Sequence, residues 1–231
     1  MSPNRHAPVL WIATIVAVLC VLPAVNPAPV HAEPPLVYPG MLIYQGSLSC
    51  TLGYVDPALR VGITAGHCFN GDGIIRNGDG AAVGHKVLAH DNRPPEGPVY
   101  ENEYTIDYEA ISIDDGLPVN DVLANGQRLE RDDTMIPDVG MPVCRTGFTT
   151  GDACGSVTRI GNGWFRFNGP VIAKGDSGGP VYTHVGDRTV LVGIIRGFMT
   201  SQSGDDVQSW AMSWPSVIKQ LREDRKGLLP A

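Results

Sequence analysis

A serine set among glycines, Gly175-Asp176-Ser177-Gly178-Gly179-Pro180, is the sharpest chemical signal in the sequence. Glycine adopts backbone angles that other residues avoid, so successive N–H groups can turn toward one point beside the hydroxyl. Such donors hold the negative oxygen that forms when a hydroxyl attacks a carbonyl. Alone, the stretch is only a glycine-rich loop, because a serine hydroxyl is a poor nucleophile near neutral pH and needs a base. A second motif, Ile63-Thr64-Ala65-Gly66-His67-Cys68, ends an apolar run in a small-residue turn that presents His67, whose imidazole suits that task. His85, His90 and His184 have no comparable setting and read as exposed loop histidines. The third requirement is a carboxylate that fixes the imidazole tautomer and stabilises its cation. Asp107 interrupts the apolar run from Tyr104 to Ile113, where a buried acid would be costly without a partner. Asp91, Asp114 and Asp115 stand in turn-like contexts and read as solvated acids.

These residues must be carried by short β elements. Apolar stretches at Met41–Tyr44, Arg60–Thr64, Ala81–Leu88, Tyr104–Ile113, Met141–Arg145, Ser156–Ile160, Trp164–Phe167, Pro180–His184 and Thr189–Ile195 alternate with Asn-Gly, Asp-Gly and Gly-Asn turns, the pattern of barrels or sandwiches. One helix is expected, opened by Pro215 and running over Ser216–Lys226 with Val217, Ile218 and Leu221 on one side. Residues 114–140 are polar and read as the connection between two lobes, about 36–113 and 141–231, with His67 and Asp107 before it and Ser177 after it. Asn70-Gly71-Asp72-Gly73 recurs as Asn77-Gly78-Asp79-Gly80; lacking the further oxygens and terminal Glu of a calcium loop, the two copies read as hairpin turns.

Composition agrees with a turn-rich β protein: 28 Gly and 19 Pro in 231 residues, 43% apolar and 18% charged, which excludes a coiled coil or a charge-rich disordered chain. A formal charge of −7 with no basic cluster leaves no footprint for nucleic acid. Residues 1–32 read as a signal peptide, with Arg5, an apolar run from Val9 to Leu22 and small residues around Val30-His31-Ala32. Cleavage would leave a mature chain of 33–231, without stable membrane insertion. It removes Cys20 and leaves Cys50, Cys68, Cys144 and Cys154, an even number that reads as disulfides in an exported chain. Three pairings are possible; closing short loops, Cys50 with Cys68 and Cys144 with Cys154, is the simplest, and a zinc site is disfavoured by the spacings.

Thr64-Ala65-Gly66-His67-Cys68 and Gly175-Asp176-Ser177-Gly178-Gly179-Pro180, in that order with an acid between, resemble the trypsin/chymotrypsin-like serine peptidases. The resemblance implies an all-β fold of two six-stranded antiparallel barrels with a C-terminal helix and the active cleft between the barrels. It implies His67, Asp107 and Ser177 as catalytic triad, with the Gly175 and Ser177 N–H groups as oxyanion donors. The stretch Val143–Gly155 is similar to the bacterial branch of α-lytic endopeptidase and the streptogrisins. By that likeness Arg145 pairs with Asp176 in place of a freshly cleaved amino terminus, and both short-loop disulfides are supported. A bidentate guanidinium would neutralise the carboxylate beside the oxyanion donors.

The chain departs from that branch in several places. Only a short Pro-rich lead, Glu33–Pro39, stands where relatives carry a long pro-region. In the stretch lining the specificity pocket, Arg196 replaces a serine commonly found near the triad acid, Phe198 would narrow the pocket, and Val171 stands where trypsins carry an aspartate. A preference for Lys or Arg is therefore not expected. The expectation is a secreted, extracellular bacterial serine endopeptidase, a monomer with no cofactor or metal, acting on peptide or protein. The alternative is a catalytically silent homologue serving as a binding or adhesion module, which Arg196 and Phe198 motivate. An α/β-hydrolase is weaker still, since its triad runs Ser, acid, His.

Overall fold

Side chains alternate in burial along Leu42–Gln45, whereas the runs Asp107–Ile113, Trp164–Phe167 and 189–195 are buried over nearly their whole length, and each such run pairs into a sheet. The computed structural model describes residues 33–92, 100–200 and 207–226. The leader expected over 1–32, with Cys20, lies outside the described residues. The first sheet holds β1 (Leu42–Gln45), β2 (Leu48–Thr51), β3 (Tyr54–Asp56), β4 (Val61–Thr64), β5 (Ile74–Asn77), β6 (Ala82–Asp91) and β7 (Asp107–Ile113), in the order β2-β1-β5-β6-β7-β4-β3. Its two edges, β2 and β3, are successive pieces of one chain segment joined by Leu52-Gly53, so the chain itself bends from one edge to the other. Gly53 N–H donates to Ile63 O and Leu52 N–H to Met41 O, which holds the bend against both neighbours.

The second sheet holds β8 (Leu129–Glu130), β9 (Pro142–Gly147), β10 (Gly151–Ile160), β11 (Trp164–Phe167), β12 (Pro180–Val185), β13 (Arg188–Thr200) and β14 (Val207–Ser213). β12 pairs with both β9 and β13, which closes β12-β9-β10-β11-β14-β13 into a six-stranded barrel. One helix, α1 (Trp214–Lys226), follows, with the Ser213 and Ser216 hydroxyls bonded across its first turn at 2.8 Å. Pro215 sits in that first turn, where a missing N–H costs nothing.

Three apolar clusters account for the packing. Ile43, Leu52, Val55, Ile75, Val83 and Ile111 fill the first sheet, and Val143, Val157, Phe165, Val192 and Ile195 fill the second barrel. The third joins the two, with Tyr54 and Tyr108 from the first sheet and Ile106 just before β7 meeting Trp164, Ile194, Trp210, Trp214 and Val217. Burying each large apolar side chain contributes about 1.5–3 kcal/mol, so this shared cluster holds the sheets in one arrangement.

Several expectations need correction. The stretch 114–140 is more than a connection: Leu123 and Leu129 are buried in the shared cluster, and β8 runs parallel to β13 through Thr189 and Val190. Only the second Asn-Gly-Asp-Gly copy is a hairpin turn, between β5 and β6, with Asn77 Oδ1 accepting from the Asp79 and Ala81 N–H groups. The first copy leads from the 3-10 turn Gly66–Cys68 into β5. His85, His90 and His184 all lie on strands rather than loops, because each belongs to a run long enough to pair. His90 Nδ1 and the Tyr108 hydroxyl both bond Asp224 Oδ2, at 2.9 and 2.8 Å, pinning α1 to β6 and β7.

Candidate active site

His67 stands in the 3-10 turn Gly66–Cys68, directly after β4. The turn is anchored on one side by the disulfide from Cys68 to Cys50 on β2. On the other side there is no room for a side chain at Gly66: a Cβ there would lie 2.5 Å from His90 O and 2.7 Å from Tyr108 O. The turn therefore seats flush on β6 and β7, which brings it against Asp107, the first residue of β7. Asp107 is completely buried and accepts from His67 twice, Oδ2 from ring Nδ1 at 2.7 Å and Oδ1 from the backbone N–H at 2.9 Å. Burial alone would raise the Asp107 carboxyl, but the hydrogen bonds from His67 and the neighbouring charges of His67 and Arg196 hold it below the usual carboxylate value. An ionised carboxylate only accepts, so Nδ1 is the donor in this bond, and in the neutral ring the lone pair is on Nε2.

The serine loop is tied to the first sheet by one residue. Thr51 N–H donates to Ser177 O at 2.8 Å, Thr51 Oγ donates to Gly175 O at 2.7 Å, and the Thr51 hydroxyl accepts from Phe148 N–H at 3.0 Å. Thr64 Oγ donates to Thr51 O at 2.8 Å, which links the loop to the strand that precedes His67. Gly178, at φ +85°, packs so closely here that a Cβ would lie 2.0 Å from Thr64 Oγ. Only glycine meets both demands.

Lys174 O accepts from Thr149 Oγ at 2.8 Å and Asp176 O accepts from Gly179 N–H at 3.0 Å. In a trans peptide the N–H points opposite its carbonyl, so the N–H groups of Gly175 and Ser177 are turned away from those bonds. Neither finds an acceptor among the described residues. They are the pair named from sequence as oxyanion donors. Ser177 itself is half-buried, and its Oγ donates to Arg196 O at 3.4 Å. Among the described residues no hydrogen bond joins Ser177 to His67.

The expected Arg145–Asp176 ion pair is not formed. Asp176 Oδ1 accepts from the Thr149 and Thr150 N–H groups at 2.9 and 3.1 Å, and Oδ2 from Thr150 Oγ at 2.6 Å and Ala173 N–H at 2.8 Å. Four donors fill the lone pairs of a carboxylate and leave no place for a guanidinium. Arg145, a buried residue of β9, donates instead to Gly151 O at 2.7 Å and Pro170 O at 3.2 Å. Burial lowers its basicity, and attraction to Asp176 and Asp152 at longer range opposes that. The second disulfide, Cys144–Cys154, bridges directly opposed residues of β9 and β10 behind this turn.

Arg196, named from sequence with Val171 and Phe198 in the stretch lining the specificity pocket and at a position near the triad acid, lies against Asp107. Its guanidinium is drawn to two carboxylates, with Nε 2.5 Å from Asp107 Oδ2 and Nη2 3.3 Å from Asp91 Oδ2, and it lies over the Trp210 ring at 5.8 Å. The Nε–H is not directed at Asp107, so the contact is an ion pair without an aligned hydrogen bond. Val171 and Phe198 are 41% and 52% exposed. Asp91, expected as a solvated loop acid, faces Asp107 across β6 and β7. Thr149 and Thr150 fall in the stretch similar to the bacterial branch but carried no role of their own there, and Thr51 gave no signal in the sequence, since a threonine in a strand is commonplace.

No protein-family model matches the chain. Two proteins of Mycobacterium tuberculosis, Uncharacterized protein Rv1815 of strain H37Rv and Uncharacterized protein MT1863 of strain CDC 1551, are each 40% identical over 201 residues, covering 86% of this chain and 88% of theirs. Among solved structures, Thermobifida fusca Protease A is similar with a TM-score of 0.57 at 19% identity, over 81% of this chain and 97% of that one. Cellulomonas bogoriensis chymotrypsin gives 0.56 at 20% identity with the same coverage. A glutamic acid specific serine protease gives 0.56 at 24%, again over 81% and 97%. The chain belongs to one family with these mycobacterial proteins, and its fold is that of the bacterial chymotrypsin-like serine proteases.

Proposed function

We propose that the protein is a secreted serine endopeptidase in which His67, Asp107 and Ser177 form the catalytic triad. The observation that carries this reading is the two-point grip of Asp107 on His67, which makes Nε2, on the side away from the carboxylate, the accepting nitrogen of the neutral ring. Ser177 Oγ attacks the peptide carbonyl carbon as its proton passes to Nε2, and the carbonyl oxygen, now negative, is received by the Gly175 and Ser177 N–H groups. His67 then gives the proton to the leaving amine, which departs and leaves an acyl-enzyme. Water repeats the sequence and frees the acid. Export fits the two disulfides and the apolar leader in the sequence, and no helix among the described residues is long and apolar enough to cross a membrane.

A silent binding module is the second reading. It is favoured by the Ser177 hydroxyl bonding Arg196 O rather than His67, and by the cation against Asp107. The first of these is weak ground for inactivity, since catalytic hydrogen bonds are often long without substrate and tighten in the complex. A fluorophosphonate probe separates the two. Covalent labelling of the mature chain, lost in Ser177→Ala and strongly reduced in His67→Ala, is expected of the peptidase. Folded protein that takes no label and cuts no member of a mixed peptide pool would establish the silent homologue.

A further inference from the structure

We propose that Arg196 is a positioning residue that sets the pH range in which His67 works as a base, by sharing with it the single oxygen Oδ2 of Asp107. The consequence for catalysis rests on the peptidase reading, whereas the effect on the imidazole does not. Asp107 Oδ2 accepts from His67 Nδ1 at 2.7 Å while Arg196 Nε stands 2.5 Å from the same atom. The two cationic groups are therefore at most about 5.2 Å apart when His67 is protonated. A guanidinium is always charged, so the pair Asp107–Arg196 presents the imidazole with far less negative charge than a lone carboxylate would.

Two effects follow with opposite value. Protonated His67 is less stabilised, so the base stays free to accept the serine proton in more acid medium. The imidazolium that develops during acylation is also less stabilised, so the rate where the base is already free is lower than an uncharged residue at 196 would allow. Because the Arg196 Nε–H is not aligned on the carboxylate, its influence is charge and contact more than hydrogen bonding.

The other charged groups around the site do not reproduce this effect. Asp91, on β6, holds Arg196 Nη2 at 3.3 Å and offsets part of its charge. His90, also on β6, is bonded to Asp224 of α1. Glu109, on β7, is buried and pushed up to about 7, chiefly by burial, and its attraction is to Lys86 of β6. Arg196, reaching in from β13, is the arginine that touches the Asp107 carboxylate among the described residues.

The test is NMR titration of the His67 ring in the mature chain carrying Ser177→Ala, with Arg196 intact or replaced. A unit charge this near, partly screened, moves a titration by about one pH unit. Arg196→Met and Arg196→Gln should each raise the midpoint by about that much, while Arg196→Lys, which keeps the charge, should stay within a few tenths. Gln preserves a donor and much of the volume, so it serves if Met does not fold. Midpoints in a folded neutral variant that coincide with the parent, or fall below it, overturn the proposal. With Ser177 present, the acid limb of kcat/KM should rise by the same interval and the plateau should increase several-fold. A shifted titration without turnover or labelling keeps the role of Arg196 and rejects the peptidase, whereas turnover with an unmoved titration does the reverse.

Discussion

Asp107 uses both carboxylate oxygens on His67, one for the ring at 2.7 Å and one for the main chain at 2.9 Å. The main-chain bond fixes where the 3-10 turn sits and the ring bond fixes how the imidazole is rotated. Neither would do so alone, because a ring held only at Nδ1 can swing with its turn.

Replacing Asp107 by Asn separates these functions. An amide has one accepting oxygen and a donating NH2, so it can satisfy the backbone N–H only by offering the NH2 to Nδ1, which moves the ring proton to Nε2. The fold should persist, with unchanged far-UV circular dichroism, while the fluorophosphonate labelling rate falls by about 10^4, the size known for the corresponding change in a chymotrypsin-fold peptidase. A rate within tenfold of the parent would mean that Asp107 does not orient the base.

Thr51→Val tests the tie between the first sheet and the serine loop. Valine fits the space but removes the donor to Gly175 O and the acceptor for Phe148 N–H; the bond to Gly175 O is buried, so that carbonyl loses its partner out of reach of water, whereas Phe148 is exposed. Leaving buried groups unpaired should lower unfolding free energy by about 2 kcal/mol in urea. The loop would also lose the bond that holds Gly175 O, and labelling of Ser177 should slow at least about tenfold because the oxyanion donors are no longer held in place. Parent-like stability and labelling together would refute this role.

Glu109 makes stability depend on pH. It is buried inside the first sheet with Gln45 donating to Oε2 at 2.9 Å, and its carboxyl is raised from 4.5 to about 7, first by burial and further by Asp107, against the lowering effects of Gln45 and Lys86. Between those two values the folded chain holds a proton that the unfolded chain has released. The stabilisation is therefore fully present below 4.5 and is lost as pH rises through about 7, an amount of about 3 kcal/mol. Glu109→Gln stays neutral and should lose this dependence, gaining on the parent at pH 8 but not at pH 4 in denaturant titrations. Parallel pH curves for the two proteins would contradict the assignment.

Much of the architecture was legible because the relevant forces act over a few residues. Apolar runs such as Trp164–Phe167 and Pro180–His184 carry strand propensity in themselves, and Pro215 marks a helix start wherever the chain goes next. Of the strands that escaped notice, β2, β3, β5 and β8 are only two to four residues long, and β14 mixes Gln and Ser with its apolar residues, so their pairing is stabilised by neighbours rather than by their own composition.

Residue types and short separations by themselves determined which side chains could do chemistry here, that the chain would be β-rich, and which cysteines close the smallest loops. Tertiary structure decided who holds whom. Asp176 takes three of its four donors from a turn 26 and 27 residues away instead of from Arg145, Thr51 reaches Gly175 across 124 residues, and Arg196 turns onto Asp107. Hydrogen bonds and ion pairs are made with whichever groups folding leaves unpaired within about 3 Å, and that remainder exists only once strands far apart in the chain have docked.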